Sequence, residues 1–215
     1  MRAVLVLIVS LTFLAGCGGD DGETTESVAT GADECASVEA PDARNPEPGE
    51  APAEPLDASK TYTLTFDTSC GSFTITLDQE LAPKTAASLV ALANAGYFDD
   101  TIFHRVVPGF VIQGGDPTQS GGGGPGYSTV DVPPADSAYT QGVVAMAKSG
   151  VEAPGTSGSQ FFVVTGEDAG LPPEYAIVGE VTDGLVTALR IDALGVGDGP
   201  PSQPVVVNTV TVGES

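Results

Sequence analysis

Histidine occurs once in this chain, at position 104, and tryptophan does not occur at all. Basic residues number seven against 29 acidic ones, a net charge of −22. Each shortage removes a class of function. Phosphate contacts need clustered Lys and Arg, so nucleic acid is excluded as a partner, and so is electrostatic docking on anionic lipid. A metal centre of imidazoles or thiolates needs several His or Cys. With one His and three Cys, the chain is expected to hold no metal and no cofactor. A serine or cysteine nucleophile wants a histidine base. The single His104 lies between Phe103 and Arg105, and no G-x-S-x-G elbow occurs. The run GGGGPGY (121–127) lacks the Lys-Ser/Thr ending and the following helix of a phosphate loop, which leaves it as a flexible surface loop.

Long apolar runs are scarce too. The N-terminal one, Ala3 to Leu14, follows the positive charge of Arg2 and is too short for a comfortable membrane span. Its length suits a signal-peptide core. It ends in Leu14-Ala15-Gly16-Cys17, which resembles a bacterial lipobox. Residues 1–16 are therefore expected to be a lipoprotein signal peptide and Cys17 the lipidation site. The protein would then be extracytoplasmic, anchored to the cell membrane by acyl chains. Such a compartment permits disulfides. Cys35 and Cys70 could pair there or remain two partly buried thiols, since sequence alone does not give their distance.

From 17 to 60 the chain carries 12 acidic and two basic residues, no aromatic and no apolar periodicity. This composition predicts a solvated, disordered tether. The folded domain is expected over 61–215. There TYTLTF and SFTITL alternate apolar residues with threonine around DTSCG, the pattern of a half-buried hairpin. APKTAASLVALANAGYF has helical spacing, with Pro83 at the start and Gly96 at the stop. Short strands are predicted at TIFHRVV, FVIQGG, GVVAMA, SQFFVVT, AIVGEV and VVVNTVTV, and a second helix from about Gly184 to Leu194. The expected fold is mainly β: a closed antiparallel barrel of about eight strands capped by two α-helices.

Against this scarcity of cations, FHRVVPGFVIQGGDP places Arg105 among Phe103, Val106, Val107, Phe110, Val111 and Ile112. A buried guanidinium needs a partner, so Arg105 taken alone is either half of a structural ion pair or a functional cation. Gln113 follows eight residues later, and Gln160 stands in GTSGSQFFVVT. One permanent cation, two amides and apolar neighbours do little acid–base chemistry. They could hold a peptide carbonyl while an apolar pocket takes a small ring.

FHRVVPGFVIQGGDP, followed in order by GPGY, GVVAMA and TSGSQFF, resembles the cyclophilin-type peptidyl-prolyl cis–trans isomerases over about residues 61–213. The resemblance implies an enzyme that accelerates rotation of X–Pro bonds in proline-containing polypeptides, assists folding of exported proteins and acts as a monomer. Position by position, Arg105 falls at the catalytic arginine, and Gln113 and Gln160 at the glutamines that hold it and contact the substrate backbone. Phe110, Val111 and Phe162 fall in the proline pocket, Val111 replacing the usual methionine. His104 matches a histidine at the edge of the site, Leu171 keeps a pocket residue, and Tyr175 replaces a histidine. Gly170 stands where many eukaryotic members have tryptophan, so cyclosporin binding is expected to be weak. Lys148 replaces a common asparagine and adds a positive charge near the groove. The alternative is a non-catalytic module that binds proline peptides or acts as a chaperone at the cell surface.

Overall fold

The computed structural model describes residues 34–215. The signal segment 1–16, Cys17 and the tether over 17–33 lie outside the described residues.

The two alternating runs form a hairpin, β1 (Tyr62–Thr68) and β2 (Gly71–Leu77). Alternation sends Leu64, Phe66, Phe73 and Ile75 to one buried face. Phe66 pairs with Phe73 in register, and their rings stack 5.1 Å apart. Helix α1 (Pro83–Asn94) opens on a proline, whose missing N–H is not needed in the first turn. It has no side-chain cap of its own. Buried Asp131 serves instead, its carboxylate accepting the Thr85 N–H and hydroxyl at 2.7 Å each. That N–H is one of the donors a helix start leaves without a partner. The chain continues through β3 (Thr101–Ile102), β4 (Arg105–Val107), β5 (Val111–Gly114), β6 (Thr129–Val130), β7 (Val143–Met146), β8 (Thr156–Ser157), β9 (Phe161–Val164), β10 (Ile177–Asp183), α2 (Leu185–Asp192) and β11 (Val206–Glu214).

Nine strands make one sheet in the order β3-β11-β1-β2-β10-β7-β9-β5-β4, and β6 pairs with β8 apart from it. The mainly-β, two-helix architecture is as expected, with two differences. TIFHRVV is not one strand. It breaks at Phe103, whose ring is fully buried in the core, so that β3 pairs with β11 and β4 with β5. The two halves are thereby the opposite edges of the sheet. Being consecutive and only two and three residues long, they do not pair with each other, so the curled sheet stops short of a closed ladder.

The main core lies inside the curl and includes Leu64, Phe66, Phe98, Phe103, Ile112, Met146 and Phe161. Helix α1 packs on β11, β6 and β1, and α2 on β2, β5 and β4. A second apolar cluster holds Val111, Tyr139, Ala145, Phe162 and Val164. Strand alternation separates the two: Ile112, Phe161 and Val163 point inward, while their neighbours Val111, Phe162 and Val164 point outward.

Residues 34–60 correct the expectation of a disordered tether over that stretch. They hold no helix or strand, yet they lie along the domain as a strap. Cys35 and Cys70 form a disulfide. The Ala36 N–H donates to Ser69 O, Arg44 N–H to Pro117 O and Gly49 N–H to Pro125 O. The Arg44 guanidinium reaches the carbonyls of Tyr97 and Asp99, and Leu56 packs against the core. Apolar periodicity detects helices and strands. It does not detect a segment ordered by a covalent link and isolated backbone bonds to loops.

Candidate active site

Strand register builds the site. Arg105 of β4 lies opposite Gln113 of β5, Gln113 opposite Phe162 of β9, and Phe162 opposite Ala145 of β7. Directly opposed residues share a face, so four strands present one row on the outside of the sheet. Beside that row is a cavity of about 270 Å³, lined by Arg105, Phe110, Val111, Gln113, Ala147, Lys148, Phe162, Leu171 and Tyr175.

Its walls are fixed from behind. Asp192, the last residue of α2, accepts the Gly109 N–H at 3.0 Å and the Thr165 hydroxyl at 2.6 Å. The Thr165 N–H donates to Phe110 O at 3.0 Å. These bonds set the turn that carries Phe110. Tyr139 is buried beneath Tyr175. Its hydroxyl donates to Tyr175 O at 2.8 Å and accepts the Tyr175 N–H at 3.1 Å. Phe162 meets the Tyr175 ring edge-on, with centroids 5.7 Å apart.

At the polar end, Arg105 Nη1 donates to Gln113 Oε1 at 3.2 Å. Gln113 Nε2 donates to Gln160 Oε1 at 3.0 Å. Gln160 Nε2 ends the file on the carbonyls of Gly121 and Gly123, at 3.0 and 2.9 Å. Those glycines wall a second cavity of about 540 Å³, shared with Gln113, Gln160 and Lys148.

The glycine run is therefore not the flexible loop expected. Fully buried Asp116 accepts the N–H groups of Thr118, Gly121 and Gly123 at 2.8, 2.7 and 3.1 Å. A Cβ on Gly123 would collide with that carboxylate, so glycine here serves close approach. Burial pushes the Asp116 pKa up, but the hydrogen bonds from Thr118, Gly123 and Gly121 outweigh it and hold the pKa below the usual 3.8.

Of the residues expected at the site, seven line the smaller cavity and Gln160 lines the larger. His104 lines neither. Its ring nitrogens are buried without hydrogen-bond partners. Burial, resisted by the charge of Asp116 and by the Gln160 side chain and aided by the charge of Arg105, lowers its pKa. Lys148 does stand at the groove, lining both cavities, but with its charge paired. Its side chain is 3% exposed, its Nζ lies 3.1 Å from Glu174, and it sits over the Tyr175 ring. It acts as a partition between the cavities.

Two site residues escape a reading of the sequence. Tyr139 stands in DSAYTQG, which has no apolar period. Asp198 stands in GVGDGPP and grips Arg105 from the side opposite Gln113, with Nε–Oδ1 at 2.5 Å and Nη2–Oδ2 at 3.1 Å. The Arg105 bond holds the Asp198 pKa below its usual value. No group of three or more His, Cys, Asp or Glu among the described residues could hold a metal ion.

Residues 63–212 match the family described as cyclophilin type peptidyl-prolyl cis-trans isomerase/CLD. The chain belongs to the cyclophilins. This cyclophilin is 38% identical over 170 residues to the probable peptidyl-prolyl cis-trans isomerase A of Mycobacterium leprae, a match covering 70% of this chain and 91% of that protein. It is 42% identical over 132 residues to the peptidyl-prolyl cis-trans isomerase-like 1 of Aspergillus oryzae, covering 60% and 80%. The fold superposes on the crystal structure of a cyclophilin type peptidyl-prolyl cis-trans isomerase of Cryptosporidium parvum determined in the presence of the dipeptide Ala-Pro. That match has a TM-score of 0.64 and 30% identity, and it covers 70% of this chain and 98% of the other. This cyclophilin is accordingly an enzyme, a peptidyl-prolyl cis–trans isomerase.

Proposed function

We propose that Arg105 is the group that speeds X–Pro rotation, with the apolar cavity holding the proline ring and Gln113 holding the arginine. The observation that carries this reading is the row Arg105–Gln113–Phe162, which sets a guanidinium on the rim of a cavity walled by Phe110, Phe162, Leu171 and Tyr175. Rotation about a peptide bond meets a barrier of about 18–20 kcal/mol because the nitrogen lone pair is delocalised into the carbonyl. In the twisted state that pair returns to the prolyl nitrogen. A cation donating to it there stabilises the twisted form more than the planar one, which lowers the barrier. The guanidinium acts here as a hydrogen-bond donor and not as an acid, so no proton has to move. Phe110, Val111, Phe162, Leu171 and Tyr175 clamp the ring while the acyl side turns, and Gln160 offers an amide to the substrate backbone. Arg105→Ala should raise the barrier by about 2–4 kcal/mol, a loss of roughly 30- to 1,000-fold in kcat/KM on an X–Pro peptide. An unchanged rate would sink this assignment.

The same reading places the enzyme outside the cytoplasm, anchored through acyl chains on Cys17 and acting on exported polypeptides. Its support is the Leu14-Ala15-Gly16-Cys17 pattern behind an apolar run and a disulfide, which persists in oxidising compartments. Mass spectrometry of the mature N-terminus should find a diacylated Cys17. Finding Met1 retained would end this part of the proposal.

A further inference from the structure

Among the described residues Asp198 is the one carboxylate that touches Arg105, and the fold presets where it stands. The Val106 N–H donates to Gly199 O at 2.8 Å, which zips the loop before β11 onto β4 one residue away from each partner. The same loop is closed on itself by the Ser202 N–H to Leu194 O bond, 2.8 Å. Gly195 lies so close to Val106 and Pro108 that a Cβ there would clash. The carboxylate is thus held beside Nε and Nη2 by backbone bonds and not by its own flexibility. Gln113 meanwhile takes an Nη1 hydrogen. Between them the two residues bind three of the five guanidinium N–H groups and leave two unclaimed.

Stability does not explain this pair. The side chains are 31% and 66% exposed, and ion pairs that face water contribute little. A bidentate carboxylate does, however, fix the plane of a guanidinium. Arginine otherwise has several rotamers on the rim of an open cavity, and a displacement of an ångström at a reacting group can reduce a rate by orders of magnitude.

We propose that Asp198 is a positioning residue for catalysis, which together with Gln113 orients Arg105 so that its remaining N–H groups face the prolyl nitrogen. The proposal rests on Arg105 being the catalytic cation, and a double-mutant cycle in the full chain separates the two ideas. Asp198→Ala should lower kcat/KM about tenfold, with the loss in kcat, because the ring pocket is untouched. Asp198→Asn keeps one acceptor oxygen and should lose less. In the Arg105→Ala background, Asp198→Ala should change nothing. By NMR, the Arg105 Nε–H should exchange slowly in the wild type and faster in Asp198→Ala, while the melting temperature stays the same. If Arg105→Ala is as active as wild type, the underlying catalytic reading fails. If Arg105→Ala is inactive and Asp198→Ala retains full activity, the positioning role alone is wrong. A faster Asp198→Ala enzyme would also overturn it, because the carboxylate would then be screening the cation and not aiming it. Equal losses on Asp198→Ala with and without Arg105 would reduce Asp198 to a structural residue.

Discussion

Asp116 has no exposed surface, yet it carries a full charge in a chain already 22 units negative. Three backbone N–H groups and the Thr118 hydroxyl donate to it, which is how a buried carboxylate stays ionised. Those bonds hold the loop whose carbonyls receive Gln160, so one residue that lines neither cavity sets part of the groove. The sign of its pH effect follows from the lowered pKa. The charged form is the one the fold binds. Its contribution is complete above the usual value of 3.8 and is lost as pH falls through the lower folded value. Asp116→Asn should therefore lower the unfolding free energy by about 1–3 kcal/mol at neutral pH. Urea titrations of both proteins should give a constant gap above about pH 5 and a shrinking one below it. A gap independent of pH down to acid unfolding would rule out this role for the carboxylate.

Elements differ in how legible they are. The hairpin β1–β2 and helix α1 can be read directly, because seven alternating residues or three helical turns repeat a period often enough to see it, while the eight-residue α2 is marked by Gly184 and Gly195 at its ends. The two-residue strands β3, β6 and β8 cannot, since two residues have no period. The break at Phe103 is hidden for another reason. TIFHRVV reads as one unbroken run of strand formers, and what divides it is its pairing with β11 on one side and β5 on the other. The site follows the same rule. Arg105, Phe110, Val111 and Gln113 lie within nine consecutive positions, and Gln160 and Phe162 within three, so one motif each displays them. Alternation adds that Val111 and Gln113 share a face, as the structure shows. Leu171 and Tyr175 are placed by resemblance and do line the cavity. His104 lies just outside β4 and lines neither cavity; its ring sits against Gly121, 3.7 Å from where a Cβ there would stand.

At the scale of the whole molecule, the strap and the domain are one unit. The Cys35–Cys70 link closes 35 residues, and a loop of that length removes unfolded-state entropy worth about 3–4 kcal/mol. Beyond the disulfide, the strap runs under the active-site loop. Gln119 Nε2 donates to Pro41 O, and a Cβ on Gly126 would strike Pro48. Cys35→Ala should lower the unfolding free energy by about that amount, and a thiol reductant should do the same to the wild type while leaving the variant unaffected. Hydrogen exchange at the 117–127 amides should rise along with it. Equal melting of oxidised wild type and Cys35→Ala would show that the strap holds without its link.

By itself the sequence determined the function class, through the family resemblance of its motifs, and the mainly-β domain and the placement of Arg105 beside Phe110 and Val111, which rest on local period and contiguous motif. Tertiary structure alone decided that Cys35 joins Cys70, that residues 34–60 lie ordered on the domain, that the sheet stays open at β3 and β4, and that Asp198 is the partner of Arg105. Those outcomes depend on distances between segments up to about a hundred residues apart. Such distances carry no periodic signal, since they are set by how the sheet curls and which loops it brings together.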